Sequence, residues 1–157
     1  MKLEDAAALF AAPGQPQSLY KWLEDETKRL IGHKLFTLLY VDGAEVARIY
    51  SSNGKAYPVA GRKPMNQTAW AEVVLHGKRP WLGRTMAEIR WAFFDHELIQ
   101  SLGCGACINV PVIYDAAVIG TMNILDAEGA YDETSVAKVS HLAPLLTPAF
   151  LVEARGG

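Results

Sequence analysis

Two consecutive apolar runs, residues 107–113 and 118–125, constrain the fold of this chain most strongly. Both runs are rich in β-branched residues, and only the four residues Tyr-Asp-Ala-Ala separate them. Runs of this length and composition, joined by so short a connection, predict two adjacent antiparallel strands. Gly103 and Gly105 precede the first run, and helical patterns resume on both sides of the pair. The chain is therefore expected to build an antiparallel sheet around these two strands.

The remaining patterns predict an α+β domain. An amphipathic helix over about residues 18–30 precedes a hairpin of strands, 35–41 and 45–51, with an Asp-Gly turn. A last helix begins at Asp132 and is expected to kink or break near Ala143, because two prolines follow within its pattern. We expect the first and last helices to share one sheet face. The irregular stretch 52–103 is expected to cover the other face, where a ligand pocket would form.

Composition limits the class of protein. The 157 residues suit one domain, for which we predict a core over 18–154 and an N-terminal extension over 1–17. The net charge is -2 and the basic residues are dispersed, which argues against nucleic acid as a partner. No apolar run approaches a membrane span. With only two cysteines and no export signal, we expect reduced thiols and a cytoplasmic location.

The sequence resembles a GAF domain. The resemblance rests on a strand that ends in Val-Pro-Val (110–112), on Ile119-Gly120 in the next strand, and on Tyr131-Asp132-Glu133 at the start of the last helix. It implies a GAF-like twisted antiparallel sheet of about five or six strands. It also implies helices on both sides, a small-molecule pocket beneath the helical connections, and a homodimer formed through the first and last helices. No output domain is recognisable beside it, so a stand-alone domain is expected.

Polar residues inside apolar strands indicate a candidate binding site. Asn109, Thr121 and Asn123 interrupt the two strands and must form hydrogen bonds if they are buried. Whether they meet depends on the register. An even-numbered loop pairs Asn109 with Met122, whereas an odd loop, or a bulge at Pro111, places Asn109 beside Thr121 or Asn123.

Further candidates come from the hairpin and from the aromatic connection. Arg48 and Tyr50 are expected on one side of their strand, where the arginine could bind a carboxylate or phosphate or lie at a solvent-facing edge. Trp91 and Phe94 belong to an aromatic-rich stretch that could enclose a ligand or simply pack on the sheet. Asp95 is expected to cap a short helix that follows it.

The motif Cys104-Gly105-Ala106-Cys107 leaves two interpretations open. Buried free cysteines are commonly small apolar residues of the core. Free methionine-R-sulfoxide reductases, in contrast, are single GAF domains with pocket cysteines, and there a thiolate attacks the sulfoxide sulfur. This chain has Ala106 and Cys107 where those enzymes carry Ser-Glu, so the carboxylate that would hold the substrate is absent from that place.

No cofactor or metal is predicted. A zinc site needs about four ligands, and no second cysteine pair completes one. The motifs of cyclic-nucleotide-binding GAF domains and the Cys-His attachment of bilins are absent from the sequence. Haem ligation by a lone histidine stays open, and the four candidates are His33, His76, His96 and His141.

The sequence thus predicts a sensory or regulatory GAF domain that binds an unidentified small molecule. The alternatives are a thiol enzyme that uses Cys104 and Cys107, and a structural dimerisation module without a ligand. The predicted ligand-binding residues, with the two cysteines at their rim, are Arg48, Tyr50, Trp91, Phe94, Asn109, Thr121 and Asn123.

Overall fold

The fold is built on a six-stranded sheet in which every neighbouring pair is antiparallel. A computed structural model describes residues 1–65 and 68–155. The strand order is β3-β2-β1-β6-β5-β4. The pair predicted from the two apolar runs, β5 and β6, therefore lies inside the sheet. The strands are β1 (Leu35–Asp42), β2 (Glu45–Ser51), β3 (Lys63–Pro64), β4 (Trp81–Gly83), β5 (Ala106–Tyr114) and β6 (Ala117–Asp126).

Helices cover both faces of the sheet, which confirms the predicted α+β class. The helices are α1 (Leu3–Ala11), α2 (Gln17–Ile31), α3 (Ala69–Ala71), α4 (Met86–Ala92), α5 (His96–Ser101), α6 (Glu133–Ser140) and α7 (Thr147–Ala154). Helices α2, α6 and α7 pack on one face, where Leu23, Phe36 and Phe150 are fully buried in the largest apolar cluster. The first amphipathic helix and the last helix thus share a face, as predicted.

The long connection between β2 and β5 covers the opposite face. It contains α3, a π-helical turn over Glu72–His76, the edge strand β4, and then α4 and α5. Two smaller apolar clusters join this connection to the sheet. Ile89 and Ile99 anchor one of them, and Val74 anchors the other, all three with at most 1% of their surface exposed. The connection is therefore a packed layer on the sheet.

The final helical segment is broken where its prolines predict. Helix α6 ends at Ser140, a 3₁₀ turn spans Ala143–Leu146, and α7 begins at Thr147. Among the described residues, no single helix is long and apolar enough to cross a membrane. The two parts of this final segment, bent by 40° at the break, reach the necessary length and composition only together.

A β-bulge sets the register between β5 and β6. The two strands are joined by a two-residue turn in which Asp115 and Ala116 have φ angles of +52° and +61°. An even-numbered turn of this kind would pair Asn109 with Met122. The register shifts by one beyond Val112, however, because Ile119 is an extra residue in β6. Asn109 consequently pairs with Asn123, through a bulge at a position other than Pro111.

A second bulge separates Arg48 from Tyr50. Leu38 pairs with Tyr50 while Leu39 pairs with Arg48, so Ile49 is the extra residue. The expectation that Arg48 and Tyr50 share one side of β2 is therefore wrong. Tyr50 faces the large helices and donates a 2.8 Å hydrogen bond to Glu24 of α2.

Candidate ligand-binding site

A pocket of about 200 Å³ lies between the sheet and the connection that covers it. Strands β1, β2, β5 and β6 form its floor, and the segments around α3, α4 and α5 form its walls. The polar or ionisable side chains that line it are Thr37, Arg48, Tyr57, Thr68, Trp70, Asp95, Cys107, Asn109 and Asn123.

The floor of the pocket contains a network of paired amides. Asn109 Nδ2 donates a 2.7 Å hydrogen bond to Asn123 Oδ1, which also accepts one from Thr121 Oγ1 at 2.9 Å. Asn123 Nδ2 donates to Thr37 Oγ1 at 3.1 Å. Asn109 Oδ1 accepts a 3.0 Å hydrogen bond from the indole Nε1 of Trp70. Because the network joins three strands to the covering layer, it fixes the floor and one wall in a single arrangement.

A phenol ring positions the two charged groups of the pocket. The guanidinium carbon of Arg48 lies 3.8 Å from the centre of the Tyr57 ring, and Arg48 Nη1 donates to the carbonyl oxygen of Pro58 at 2.8 Å. The hydroxyl of Tyr57 donates a 2.6 Å hydrogen bond to Asp95 Oδ2. Burial, with the adjacent Asp95 charge, raises the pKa of Tyr57. The phenol therefore stays protonated and keeps donating to Asp95.

Asp95 occupies the N-cap position of α5, but its side chain makes no capping hydrogen bond. The expectation that this carboxylate caps the helix is wrong, since the hydroxyl of Tyr57 orients it instead. The carboxylate is only partly buried and lines the pocket. Held by Tyr57, the carboxylate forms part of the pocket lining.

The aromatic residues divide between the pocket wall and the outer surface. Trp70 and Phe93 line the pocket with their ring centres 5.8 Å apart. Phe94 lines it as well, yet 79% of its surface is exposed, which places it at the mouth. Trp91 stacks on Trp81 with ring centres 6.0 Å apart and is 54% exposed, outside the pocket lining.

The two cysteines lie in surroundings that favour the thiol over the thiolate. Cys107 lines the pocket, is fully buried, and lies with its Sγ 3.5 Å from Asn109 Oδ1 as a weak donor. Burial raises the pKa of Cys107 strongly. Burial, together with the Asp126 charge, raises the pKa of Cys104 to about 11. Both thiols are free, and at neutral pH neither supplies the thiolate that nucleophilic attack requires.

The structure brings together part of the predicted set. Arg48, Phe94, Asn109 and Asn123 line the pocket, with Cys107 beside them. Thr121 lies behind the lining and supports Asn123. Four predicted residues do not line the pocket: Thr121, Tyr50, Trp91 and Cys104.

The polar lining residues Thr37, Tyr57 and Asp95 are not among those that the sequence predicts to bind a ligand. Thr37 interrupts the apolar strand β1, so the reasoning that identified Asn109 could have found it. Tyr57 and Asp95 are 38 positions apart, and no local pattern connects them. Within residues 1–65 and 68–155, no group of three metal-ligating side chains converges.

Comparisons with known proteins identify the fold. No protein-family model and no curated protein matches this sequence. The GAF domain of a two-component sensor histidine kinase from Bacillus halodurans superposes with a TM-score of 0.73 at 13% identity, over 91% of this chain and 99% of that one. The GAF domain of a phosphoenolpyruvate-protein phosphotransferase from Coxiella burnetii superposes with a TM-score of 0.72 at 17% identity, over 98% of this chain and 92% of that one.

A third solved structure of the same fold is an enzyme. The free methionine-R-sulfoxide reductase from Neisseria meningitidis, in complex with its substrate, gives a TM-score of 0.68 at 18% identity. That match covers 96% of this chain and 86% of the reductase. Structural similarity at such low sequence identity establishes the fold only. Any activity has to be argued from the residues of the site. Sequence motifs, sheet topology and solved structures agree that this chain has the fold of a GAF domain.

Proposed function

We propose that this protein is a sensory or regulatory GAF domain that binds a small molecule in the pocket above β1, β2, β5 and β6. One observation carries the proposal: a partly enclosed, largely apolar cavity in which a few polar groups converge. A cavity lined mainly by apolar and aromatic side chains, with a small number of placed polar groups, is the usual form of a small-molecule site. The GAF domains of sensor histidine kinases and photoreceptors among its structural neighbours are consistent with this role.

The ligand is expected to be small. An engineered apolar cavity of about 150 Å³ accommodates benzene, so a volume near 200 Å³ suits about eight non-hydrogen atoms. Larger chromophores would require the connection to move away from the sheet. Arg48 supplies a fork of donors over one wall, and the amides of Asn109 and Asn123 supply a fixed floor.

A thermal-shift screen against small metabolites tests the proposal. A ligand that binds only the folded protein raises Tm in a concentration-dependent manner. Arg48→Met retains the side-chain stem, removes the charge, and is expected to abolish or strongly reduce the shift.

Arg62→Met is the matched control. Arg62 also lies over a tyrosine ring, that of Tyr40 at 5.2 Å, and pairs with Asp42, but it does not line the pocket. This variant should respond to ligand as the unaltered protein does. Equal ligand-induced shifts in Tm for the two variants would mean that the compound binds outside the pocket. The absence of any stabilising compound would contradict the proposal.

The thiol-enzyme alternative receives one supporting contact, because Cys107 lines the pocket. Its burial and raised pKa oppose it, since the reaction begins with a thiolate. Turnover of free methionine sulfoxide that is lost in Cys107→Ser would establish the enzyme. Binding without turnover supports the sensor.

A homodimer is part of the proposal. The resemblance implies contacts through the first amphipathic helix, which is α2, and the last helix; exposed apolar side chains on α1 and α7 lead us to include α1 in the proposed interface. Helix α1 has no buried residue, and 86% of the surface of Leu3 is exposed. Val152 on α7 is 57% exposed. Multi-angle light scattering of the whole chain and of Leu3→Glu and Val152→Glu variants measures whether these residues support a dimer. A monomeric whole chain would contradict this part of the proposal.

A further inference from the structure

Two opposite charges that lack ionic partners line one pocket. From them we infer that the ligand is a free α-amino acid with an apolar side chain, an inference that rests on the proposed function. Among the described residues, neither Arg48 nor Asp95 forms a salt bridge. Their hydrogen bonds in the described chain are to neutral groups, the Pro58 carbonyl for Arg48 and the Tyr57 hydroxyl for Asp95, so an opposite charge would stabilise each of them further. A ligand that carries both signs compensates both.

Arg48 is the carboxylate-binding group. A guanidinium has five N–H donors in a planar fork that matches a carboxylate. Of these donors, Nη1 is engaged by the carbonyl oxygen of Pro58, and the plane is held over the Tyr57 ring. The group is thus fixed in orientation while most of its donors stay available to a ligand.

Asp95 is the ammonium-binding group. Its Oδ2 accepts the hydroxyl proton of Tyr57 at 2.6 Å, and the structure gives Oδ1 no donor among residues 1–65 and 68–155. An ammonium group brings three donors to such an oxygen. Arg48 lies over the face of the Tyr57 ring and Asp95 lies at its hydroxyl end. One rigid side chain therefore sets the positions of both charges.

The charge balance of the pocket selects against ligands of a single sign. Arg48 and Asp95 are the only Lys, Arg, His, Asp or Glu residues among its described lining residues, so the two formal charges cancel. A simple carboxylate would pair with Arg48 and be repelled by Asp95. A simple amine would pair with Asp95 and be repelled by Arg48. An amino acid carries its ammonium and carboxylate one carbon apart and can address both groups.

The remaining walls select an apolar side chain. They are formed by aliphatic and aromatic groups, namely Leu39, Val46, Trp70, Leu75, Phe93 and Leu125. A charged or amide side chain would lose its hydration there without recovering hydrogen bonds. The volume of about 200 Å³ matches amino acids of the size of valine and leucine.

Isothermal titration calorimetry with three matched probes tests the inference on the unaltered protein. The probes are L-leucine, 4-methylpentanoate, which lacks the ammonium group, and 3-methylbutylamine, which lacks the carboxylate. We expect L-leucine to bind and each truncated probe to bind at least about ten-fold more weakly, as loss of a charged hydrogen-bonded group implies. L-Valine and L-lysine are compared in the same way, and lysine should bind more weakly than leucine.

The variant Asp95→Asn separates charge from shape, because it keeps the side-chain outline. The variant should bind L-leucine more weakly than the unaltered protein does, and should bind 4-methylpentanoate equally well or more tightly. An equal loss for both probes would overturn the assigned role of Asp95. If 4-methylpentanoate binds the unaltered protein as tightly as leucine and Arg48→Met abolishes its binding, the amino-acid class is wrong and the pocket remains a ligand site. If no amino acid and no other small metabolite binds, both the amino-acid inference and the proposed function are wrong.

Discussion

Asn123 connects three strands of the pocket floor through hydrogen bonds to three other side chains. Its Oδ1 accepts from Asn109 and Thr121, and its Nδ2 donates to Thr37. Only 7% of its surface is exposed. A buried polar network is stable when every member is satisfied, and losing one member leaves the others unpaired. The residue therefore contributes both to the stability of the fold and to the shape of the site.

Replacement of Asn123 by leucine is expected to lower the free energy of unfolding by about 3 kcal/mol, because Asn109, Thr121 and Thr37 lose their partner at once. Chemical denaturation measures the change. Thr121→Val is the matched control, since it removes one donor and leaves the contact between Asn109 and Asn123. It should cost about 1 kcal/mol. Equal costs for the two variants would contradict the central position of Asn123.

His33 provides a pH-dependent contribution to stability. It is 8% exposed, its Nε2 lies 2.9 Å from the carbonyl oxygen of Glu24, and burial lowers its pKa from 6.5. The unfolded chain therefore binds a proton at higher pH than the folded chain does. The contribution of neutral His33 is complete above pH 6.5 and is lost as the pH falls from 6.5 towards the lowered pKa of the folded protein.

Denaturation of the unaltered protein and of His33→Gln at pH 5 to 8 measures this contribution. Glutamine retains an N–H donor and does not titrate. We expect the difference in unfolding free energy between the two proteins to shrink as the pH falls below 6.5. A difference that is constant across the range would contradict a lowered pKa, because carboxyl groups ordinarily titrate near pH 4, outside this window.

At the scale of elements, bulges decide which strand residues face the pocket. The sequence patterns predicted β5 and β6 as strands because their β-branched runs are long and flanked by glycines. They did not predict the extra residues Ile49 and Ile119, since isoleucine in an apolar run carries no signal of a bulge. For the same reason the sequence predicts Tyr50 on the pocket side and does not fix the pairing of Asn109 with Asn123.

The turn between β5 and β6 contains residues in an unfavourable backbone conformation. Asp115 and Ala116 both have positive φ, the conformation of a type I′ turn, in which glycine follows asparagine or aspartate most readily. Ala116→Gly is expected to raise the free energy of unfolding by about 0.5 to 1 kcal/mol because it relieves this conformation.

The matched control for this turn is Ala117→Gly, one position further along the chain. Ala117 already belongs to β6, where glycine is destabilising. Thermal or chemical denaturation of both variants should therefore give changes of opposite sign. Destabilisation by Ala116→Gly would contradict the turn geometry.

At the scale of the whole molecule, the pocket depends on contacts between distant segments. Tyr57 reaches Asp95 and Trp70 reaches Asn109, over 38 and 39 positions of sequence. The α+β class, the GAF resemblance and the placement of the covering connection could be predicted, because they rest on local patterns and short motifs. The pairing of particular side chains across the pocket could not, because it arises only when the connection packs on the sheet.

The central claim is that the space beneath this connection is a ligand-binding site, and a crystal structure of the protein with its strongest stabilising compound tests it most directly. We expect electron density for the compound between Arg48 and the amides of Asn109 and Asn123, with Trp70 against one side. Density for the compound at another surface, with the pocket empty or filled by side chains, would contradict it.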